Sequence, residues 1–227
     1  MTVDDKINEI ESDVRAKAKR VSAWDYHATY LNASCAEVKI DGLWMEFGVY
    51  RGRSITHIAG HTKNTVYGFD SFEGLPEHWD KDNPLGVYSL NGQIPSGAIA
   101  GSNHDNPGMY DPSPTVTTQP WPANVKLIKG WFNVSVPPFI EEHKEPVAYM
   151  HIDSDIYSSC KTVLTLFKNQ IVKGTVLDFD ELLDYPDYKN HEIKAFAEFL
   201  LETGHNYEAL VYQDLGAGYT QACVRIV

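Results

Sequence analysis

Hydrophobic and polar positions follow two different periods along this chain. In residues 4 to about 21, Ile7, Ile10, Val14 and Ala18 recur at helical spacing with charges between them. That spacing predicts an amphipathic helix that packs on the main domain rather than serving as a lid or a dimer contact. From residue 43 short, apolar, β-rich runs take over, at 43–48, 65–70, 125–129, 147–152 and 175–179. Helical stretches fall between them, at 54–60, 159–168 and 191–202, and Ala195, Phe196, Phe199 and Leu200 form the core stripe of the last. Strands that alternate with helices need right-handed crossovers, which stack the strands in parallel with helices on both faces. The expected class is therefore α/β, a Rossmann-like doubly wound sheet. The runs 207–212 and 219–227 break the rhythm, because the turn-rich residues 213–218 between them are too few for a crossover helix. The mostly parallel sheet should end in an antiparallel hairpin.

Residues 80–124 belong to neither period. They are rich in Pro, Gly, Asn and Ser, with turn signals at Asn91-Gly92, Asn106-Pro107-Gly108 and Asp111-Pro112-Ser113-Pro114. So long a loop in a compact domain is most often a lid or binding loop, or is partly disordered, and a substrate lid is the reading favoured here. The expected organisation is a helical N-terminal extension, 1–40, and one domain, 41–227, that carries this insertion. Composition narrows the partners. Lys and Arg total 19 against 31 Asp and Glu in 227 residues, a formal charge of −12, which argues against nucleic acid but not against a cationic ligand. No apolar run reaches the ~18 residues of a membrane span. The acidic opening Met1-Thr2-Val3-Asp4-Asp5-Lys6 lacks the order of a signal peptide. Cys35, Cys160 and Cys223 are odd in number and far apart, which argues against disulfides or a thiolate zinc site and for a reducing, cytoplasmic location.

The segment Glu46-Phe47-Gly48-Val49-Tyr50-Arg51-Gly52-Arg53-Ser54 follows a predicted strand and opens a helix. A dinucleotide fingerprint, G-x-G-x-x-G, needs its middle glycine to admit a pyrophosphate to the helix N-terminus. Here Val49, Tyr50 and Arg51 separate the two glycines, which disfavours a nicotinamide-dependent oxidoreductase, the alternative enzyme class. A cofactor without phosphates fits better, and S-adenosylmethionine, an adenosine joined to a sulfonium amino acid, is one. Glu46 supplies an anion near the amino-acid end and Ser54 a hydroxyl at the helix start. Asp70, which ends the next strand, is placed to accept hydrogen bonds from the ribose hydroxyls. Tyr50 completes the set inside the turn. Taken singly, such glycines are turn chemistry and such an Asp is a helix cap; their order and spacing carry the reading.

Two more strands end in acids, in His151-Ile152-Asp153-Ser154-Asp155-Ile156-Tyr157 and Leu177-Asp178-Phe179-Asp180-Glu181-Leu182. Ligands of open parallel sheets bind beyond the carboxyl ends of the strands, where these acids lie. Asp153 and Asp155 share a face if their strand persists, and strands ~4.8 Å apart let both groups converge. Such a group calls for a positive charge, and oxygen donors without Cys favour Mg²⁺, Mn²⁺ or Ca²⁺. Beside a methyl donor that ion would orient an acceptor hydroxyl and lower its pKa, with Asp155 as the base and His191 as an outside candidate. The competing account makes some of these acids helix caps, with Asp178 the first to be structural. His57 and His61, four apart on a predicted helix, lack a third ligand and read as ordinary histidines.

In order along the chain, Glu46-Phe47-Gly48-Val49-Tyr50-Arg51-Gly52, Gly68-Phe69-Asp70-Ser71-Phe72-Glu73-Gly74-Leu75-Pro76, Gly130-Trp131-Phe132 and Ile152-Asp153-Ser154-Asp155-Ile156-Tyr157-Ser158-Ser159 resemble the macrocin O-methyltransferase-like family over residues 43 to 205. The resemblance implies a class I methyltransferase fold and a Mg²⁺-assisted transfer from S-adenosylmethionine to a hydroxyl of a sugar or other small metabolite. It implies that Glu46, Gly48 and Gly52 line the methionine part of the cofactor, Asp70 and Ser71 hold the ribose, and Gly130 and Trp131 lie near the adenine. Asp153 would be a metal ligand and Asp155 the base. The family usually shows a pair of adjacent acids on the next strand, aligned here with Asp180 and Glu181 as the remaining metal ligands. A shift of one position would change that set. A non-catalytic module that keeps the cofactor pocket is the third reading, and a homo-oligomer stays open.

Overall fold

The computed structural model describes residues 1–22, 28–99, 118–216 and 218–227. Its elements run α1 (Val3–Lys17), β1 (Lys19–Arg20), α2 (Ala28–Cys35), β2 (Leu43–Phe47), α3 (Arg53–Ala59), β3 (Val66–Asp70), β4 (Ala98–Ile99), β5 (Thr118–Gln119), β6 (Val125–Lys129), α4 (Phe132–Glu142), β7 (Val147–Ile152), α5 (Tyr157–Phe167), β8 (Val176–Leu183), a single 3₁₀ turn at Tyr188–Asn190, α6 (Glu192–Thr203), β9 (Tyr207–Asp214) and β10 (Thr220–Ile226).

The sheet order is β1-β9-β10-β8-β7-β2-β3-β6. From β8 to β6 every pairing is parallel, and β10 lies antiparallel to both β8 and β9. The alternation of strands and helices and the closing hairpin are thus realised as expected. Strands β2 and β7 are buried along their whole length, the pattern of parallel strands covered on both faces. One cover is α1, α4, α5 and α6, which close on Met45, Phe47, Met150, Ile152, Leu177 and Phe179. The other is α2 and α3, which bring Tyr30, Leu31, Ile55 and Ile58 against Trp44, Tyr149 and Val176. The N-terminal helix buries Ile7, Ile10 and Val14 in the first of these cores, as its periodicity requires.

Three features depart from the sequence pattern. Helix α4 carries Pro137 and Pro138 inside it, and α2 is a short helix of small and polar residues, so neither shows an uninterrupted stripe. Strand β8 does not stop at 179 but continues to Leu183. There Phe179 pairs with Ala222 and Leu183 with Thr220, so Asp180, Glu181 and Leu182 together face Gln221 in a bulge. Within the insertion, β4 and β5 form a separate two-stranded ribbon. Of the expected substrate lid, 80–124, residues 100–117 lie outside the described residues.

Candidate functional site

Period-two alternation places the polar residues of the central strands on the α2–α3 face, near their C-terminal ends. Glu46 of β2 pairs in register with His151 of β7, and His151 with Asp178 of β8. Glu46, His151 and Asp178 are fully buried, and Asp180 nearly so. The Ser54 hydroxyl donates to Glu46 Oε1 at 3.1 Å. His151 Nδ1 lies 3.3 Å from Glu46 Oε2, and its Nε2 lies 3.6 Å from Asp180 Oδ1. Both contacts are ion-pair distances with poor hydrogen-bond alignment. Gln221 Nε2 also donates to Asp180 Oδ1. Burial opposes a charge on His151, but Asp180 and Glu46, with Asp178 beyond, outweigh it and hold the imidazole well above its ordinary pKa. The row therefore sets a buried imidazole, favoured toward its charged form, between the acids Glu46 and Asp180. Asp178 stands apart from it in function, since the hydroxyls of Tyr30 and Tyr149 both donate to its carboxylate.

The turn after β2 is fixed from both sides. Gly48, at φ 95°, lies so close to the loop after β7 that an added Cβ would come within 1.7 Å of the Asp153 carbonyl oxygen. Gly52, at φ 78°, is covered by the Trp121 ring, 2.2 Å from where a Cβ would sit. Asp70 sits at the end of β3, as expected, but its carboxylate is already engaged. Oδ2 accepts from the backbone N–H groups of Val49 at 2.8 Å and Tyr50 at 2.7 Å, and Oδ1 from that of Phe72 at 2.6 Å. Three of about four acceptor positions are thus taken by the chain itself. Gly130 joins the same corner through its N–H, which donates to the Asp70 carbonyl at 2.9 Å, and half-buried Trp131 follows it at the start of α4. Ser71 is buried, with its hydroxyl accepting from the Glu73 N–H at 3.0 Å. The expected cofactor residues Glu46, Gly48, Tyr50, Gly52, Ser54, Asp70, Ser71, Gly130 and Trp131 therefore ring the ends of β2, β3 and β6.

The acids converge by a different route from the expected one. Strand β7 ends at Ile152, so Asp153 and Asp155 do not share a strand face. Instead Asp155 adopts φ 62° in a three-residue turn closed by the Ile156 N–H on the Ser154 carbonyl at 2.6 Å. That turn folds Asp155 back toward Asp153, and the bulge in β8 brings Glu181 to meet them. Carboxylate oxygens of Asp153, Asp155 and Glu181 lie within 4.8 Å of one another. Asp180, the expected partner of Glu181, directs its Oδ1 to His151 and Gln221 while its charge bears on all three acids. Burial, then the charges of Asp180, Asp70 and Asp80, push the Asp155 carboxyl up to about 7. Burial, then Asp180 and Asp155, push Glu181 and Asp153 the same way. His191 caps α6 with its ring 5.9 Å from that of Tyr185, and burial, opposed by Asp187, Glu77 and Asp80, lowers its pKa.

Several residues of the site escape a reading of the sequence. His151 is a lone histidine in an otherwise apolar strand, Val147–Ile152, and that was its signal. Glu192 lies on the apolar stripe of α6 with Ala195, Phe196 and Phe199, where a carboxylate is out of place. Its side chain is fully buried, and burial followed by Asp155 and Asp180 raises it to about 8. Tyr88 gives no sequence signal at all. Its ring meets that of Tyr50 at 5.8 Å, and burial, with Asp155, Glu181 and Asp153 facing it, raises its hydroxyl pKa. Trp79, Tyr185 and Tyr219 form an aromatic group above the acids, with ring centroids 5.4 to 5.9 Å apart.

The profile of the macrocin O-methyltransferase (TylF) family matches residues 27–199. The chain belongs to this family. Among its relatives is the mycinamicin III 3''-O-methyltransferase of Micromonospora griseorubida, 28% identical over 141 residues, which cover 56% of this chain and 49% of the relative. The chain thus spans about half the length of the curated relative that it matches. Solved structures of similar fold include the calicheamicin methyltransferase CalS11, with TM-score 0.60 and 23% identity over 88% of this chain and 78% of that one. Others are the O-methyltransferase NovP, at 0.56 and 17% over 87% and 78%, and a Bacillus cereus O-methyltransferase in complex with S-adenosylhomocysteine, at 0.53 and 15% over 98% and 90%. The macrocin O-methyltransferase family member described here therefore has the class I methyltransferase fold, Rossmann-like and mostly parallel with an antiparallel end.

Proposed function

We propose that this protein transfers the methyl group of S-adenosylmethionine to a hydroxyl of a sugar or other small metabolite, with help from a divalent cation. The observation that carries this reading is the convergence of Asp153, Asp155 and Glu181 at the ends of two parallel strands, beside the turn after β2, in a chain of this family. The residues present fit a hard cation. All donors are carboxylate oxygens, and Glu181 Oε2 is buried with no hydrogen-bond partner. When bound, the sulfonium supplies an electrophilic methyl and the cation lowers the pKa of an acceptor hydroxyl.

The chain's own residues do the rest. Asp153 and Glu181 would hold the cation, and Asp155, with its carboxyl near neutral pH, takes the acceptor proton. Glu46 and Ser54 would meet the amino-acid end of the cofactor, and Asp70 both shapes the turn and offers its remaining acceptor position to a ribose hydroxyl. The half-buried Tyr219 ring, backed by Trp79 and Tyr185, supplies flat apolar surface against which a sugar ring can stack. CalS11 is described as a TDP-rhamnose 3'-O-methyltransferase, and a sugar hydroxyl is the corresponding acceptor here.

Calorimetric titration with S-adenosylhomocysteine, with and without Mg²⁺, tests the reading. Binding is expected in both arms, and NADH is expected to give no heat. Asp153→Ala should abolish turnover and spare binding of S-adenosylhomocysteine. Absence of that binding overturns the cofactor; undiminished turnover in excess chelator overturns the cation.

A further inference from the structure

We propose that Glu192 is a positioning residue for the acid cluster. From the first turn of α6 its carboxylate pins the loop that carries Asp153 and Asp155. The inference rests on the reading of the cluster as a site for a cation and a base.

Ser154, between the two aspartates, donates to Glu192 Oε1 from both its backbone N–H and its hydroxyl, at 3.4 Å each. One side chain therefore holds the residue between the two aspartates at two points. A carboxylate at the start of a helix of 12 residues also meets the positive end of the helix dipole. That alone would make Glu192 an ordinary helix-terminal acid. Its hydrogen bonds say otherwise, because they go to a loop outside α6 rather than to the first turn of its own helix. Its position is also one that packing would give to an apolar residue, since Ala195, Phe196 and Phe199 continue the same stripe into the core. Glu192 Oε2 is buried without a hydrogen-bond partner. Placing an acid there, beside Asp155 and Asp180, works against stability unless it serves the geometry next to it.

The pivot is Asp155. Its backbone at φ 62° is a conformation that a non-glycine residue keeps only when its surroundings hold it. The bonds from Ser154 to Glu192 are placed to do so, one residue before the strained position. Glu192 bonds to the backbone and hydroxyl of this loop, so it acts through Asp153 and Asp155 and is no ligand itself.

The test uses the full chain and Mn²⁺ as probe, followed by electron paramagnetic resonance, with calorimetry of S-adenosylhomocysteine in parallel. Glu192→Ala is expected to weaken Mn²⁺ binding about 10- to 100-fold, as loss of an outer partner of a metal site does. Its affinity for S-adenosylhomocysteine should stay at the wild-type value. Glu192→Gln keeps an oxygen for the two Ser154 donors and is expected to restore Mn²⁺ affinity. If Glu192→Ala does not fold, Glu192→Asp, which keeps the charge but shortens the arm, is expected to show the same selective loss. Wild-type Mn²⁺ affinity in Glu192→Ala or its stand-in overturns the proposal. So does Glu192→Gln binding as weakly as Glu192→Ala, or a parallel loss of both affinities, which marks a general packing role. A wild-type protein that binds no Mn²⁺ overturns the cation reading, and this one with it.

Discussion

His151 lies where Asp180 and Glu46 favour its charged form against the cost of burial. Replacing it by Phe keeps a ring of similar size but leaves Glu46 and Asp180 buried without that partner. Removing one partner of a buried pair costs about 3–5 kcal/mol, so His151→Phe should lose that much stability in urea unfolding. Asp70 makes a similar case with hydrogen bonds in place of charge. Asp70→Ala strands the N–H groups of Val49, Tyr50 and Phe72, and each buried unsatisfied donor costs about 1–3 kcal/mol. The loss should appear in unfolding of the ligand-free protein, before any cofactor is added. An effect confined to cofactor affinity would assign Asp70 to the ribose alone. At this scale the sequence was partly legible. Acids at strand ends announced themselves by position, since such ends are where parallel sheets bind ligands. Their partners did not, because His151, Glu192 and Gln221 come from separate segments that only the folded sheet brings together.

Among the elements, the turn after β2 and the bulge in β8 matter most. Gly52→Ala meets both an unfavourable φ and the Trp121 ring. The double variant Gly52→Ala with Trp121→Ala relieves only the second problem. The loss of Tm caused by Gly52→Ala should therefore be smaller in the Trp121→Ala background than in the wild type, but not zero; a zero cost there would show that the ring alone excludes a side chain. Strands β2 and β7 were legible within a residue or two because burial on both faces demands unbroken apolar runs. The end of β8 was not. Its run Asp178–Leu183 mixes acids with apolar residues, and pairing with β10, far along the chain, is what keeps it extended. The bulge that results is also why Asp180 and Glu181, adjacent in sequence, serve different partners, a division that no spacing rule foretells.

For the whole molecule the decisive quantity is the imbalance of buried charge. Among the described residues Glu46, Asp155, Asp178, Asp180, Glu181 and Glu192 are buried with His151, and no Lys or Arg is buried with them. Asp155, faced by Asp180, Asp70 and Asp80 as well as the hydroxyls of Tyr88 and Tyr185, titrates near 7, and Glu192 near 8. An unfolded carboxyl has released its proton by pH ~4–5, whereas these folded ones still hold theirs. The folded state therefore binds more protons across that window, and stability falls as pH rises through it. In excess chelator, scanning calorimetry should give a lower Tm at pH 8 than at pH 5. Added Mg²⁺ should raise Tm more at pH 8 than at pH 5, because a cation replaces the protons. A Tm that climbs with pH in chelator would mean that the acids are neutralised from within.

The contact between Gly48 and the Asp153 carbonyl leads to one more conclusion. Main chain rests directly on main chain there, with no side chain to act as a cushion. Whatever displaces one corner by a few tenths of an ångström must carry the other along, so the two corners behave as one solid block. Selection can then reshape the aromatic residues around them without altering the spacing between the two corners.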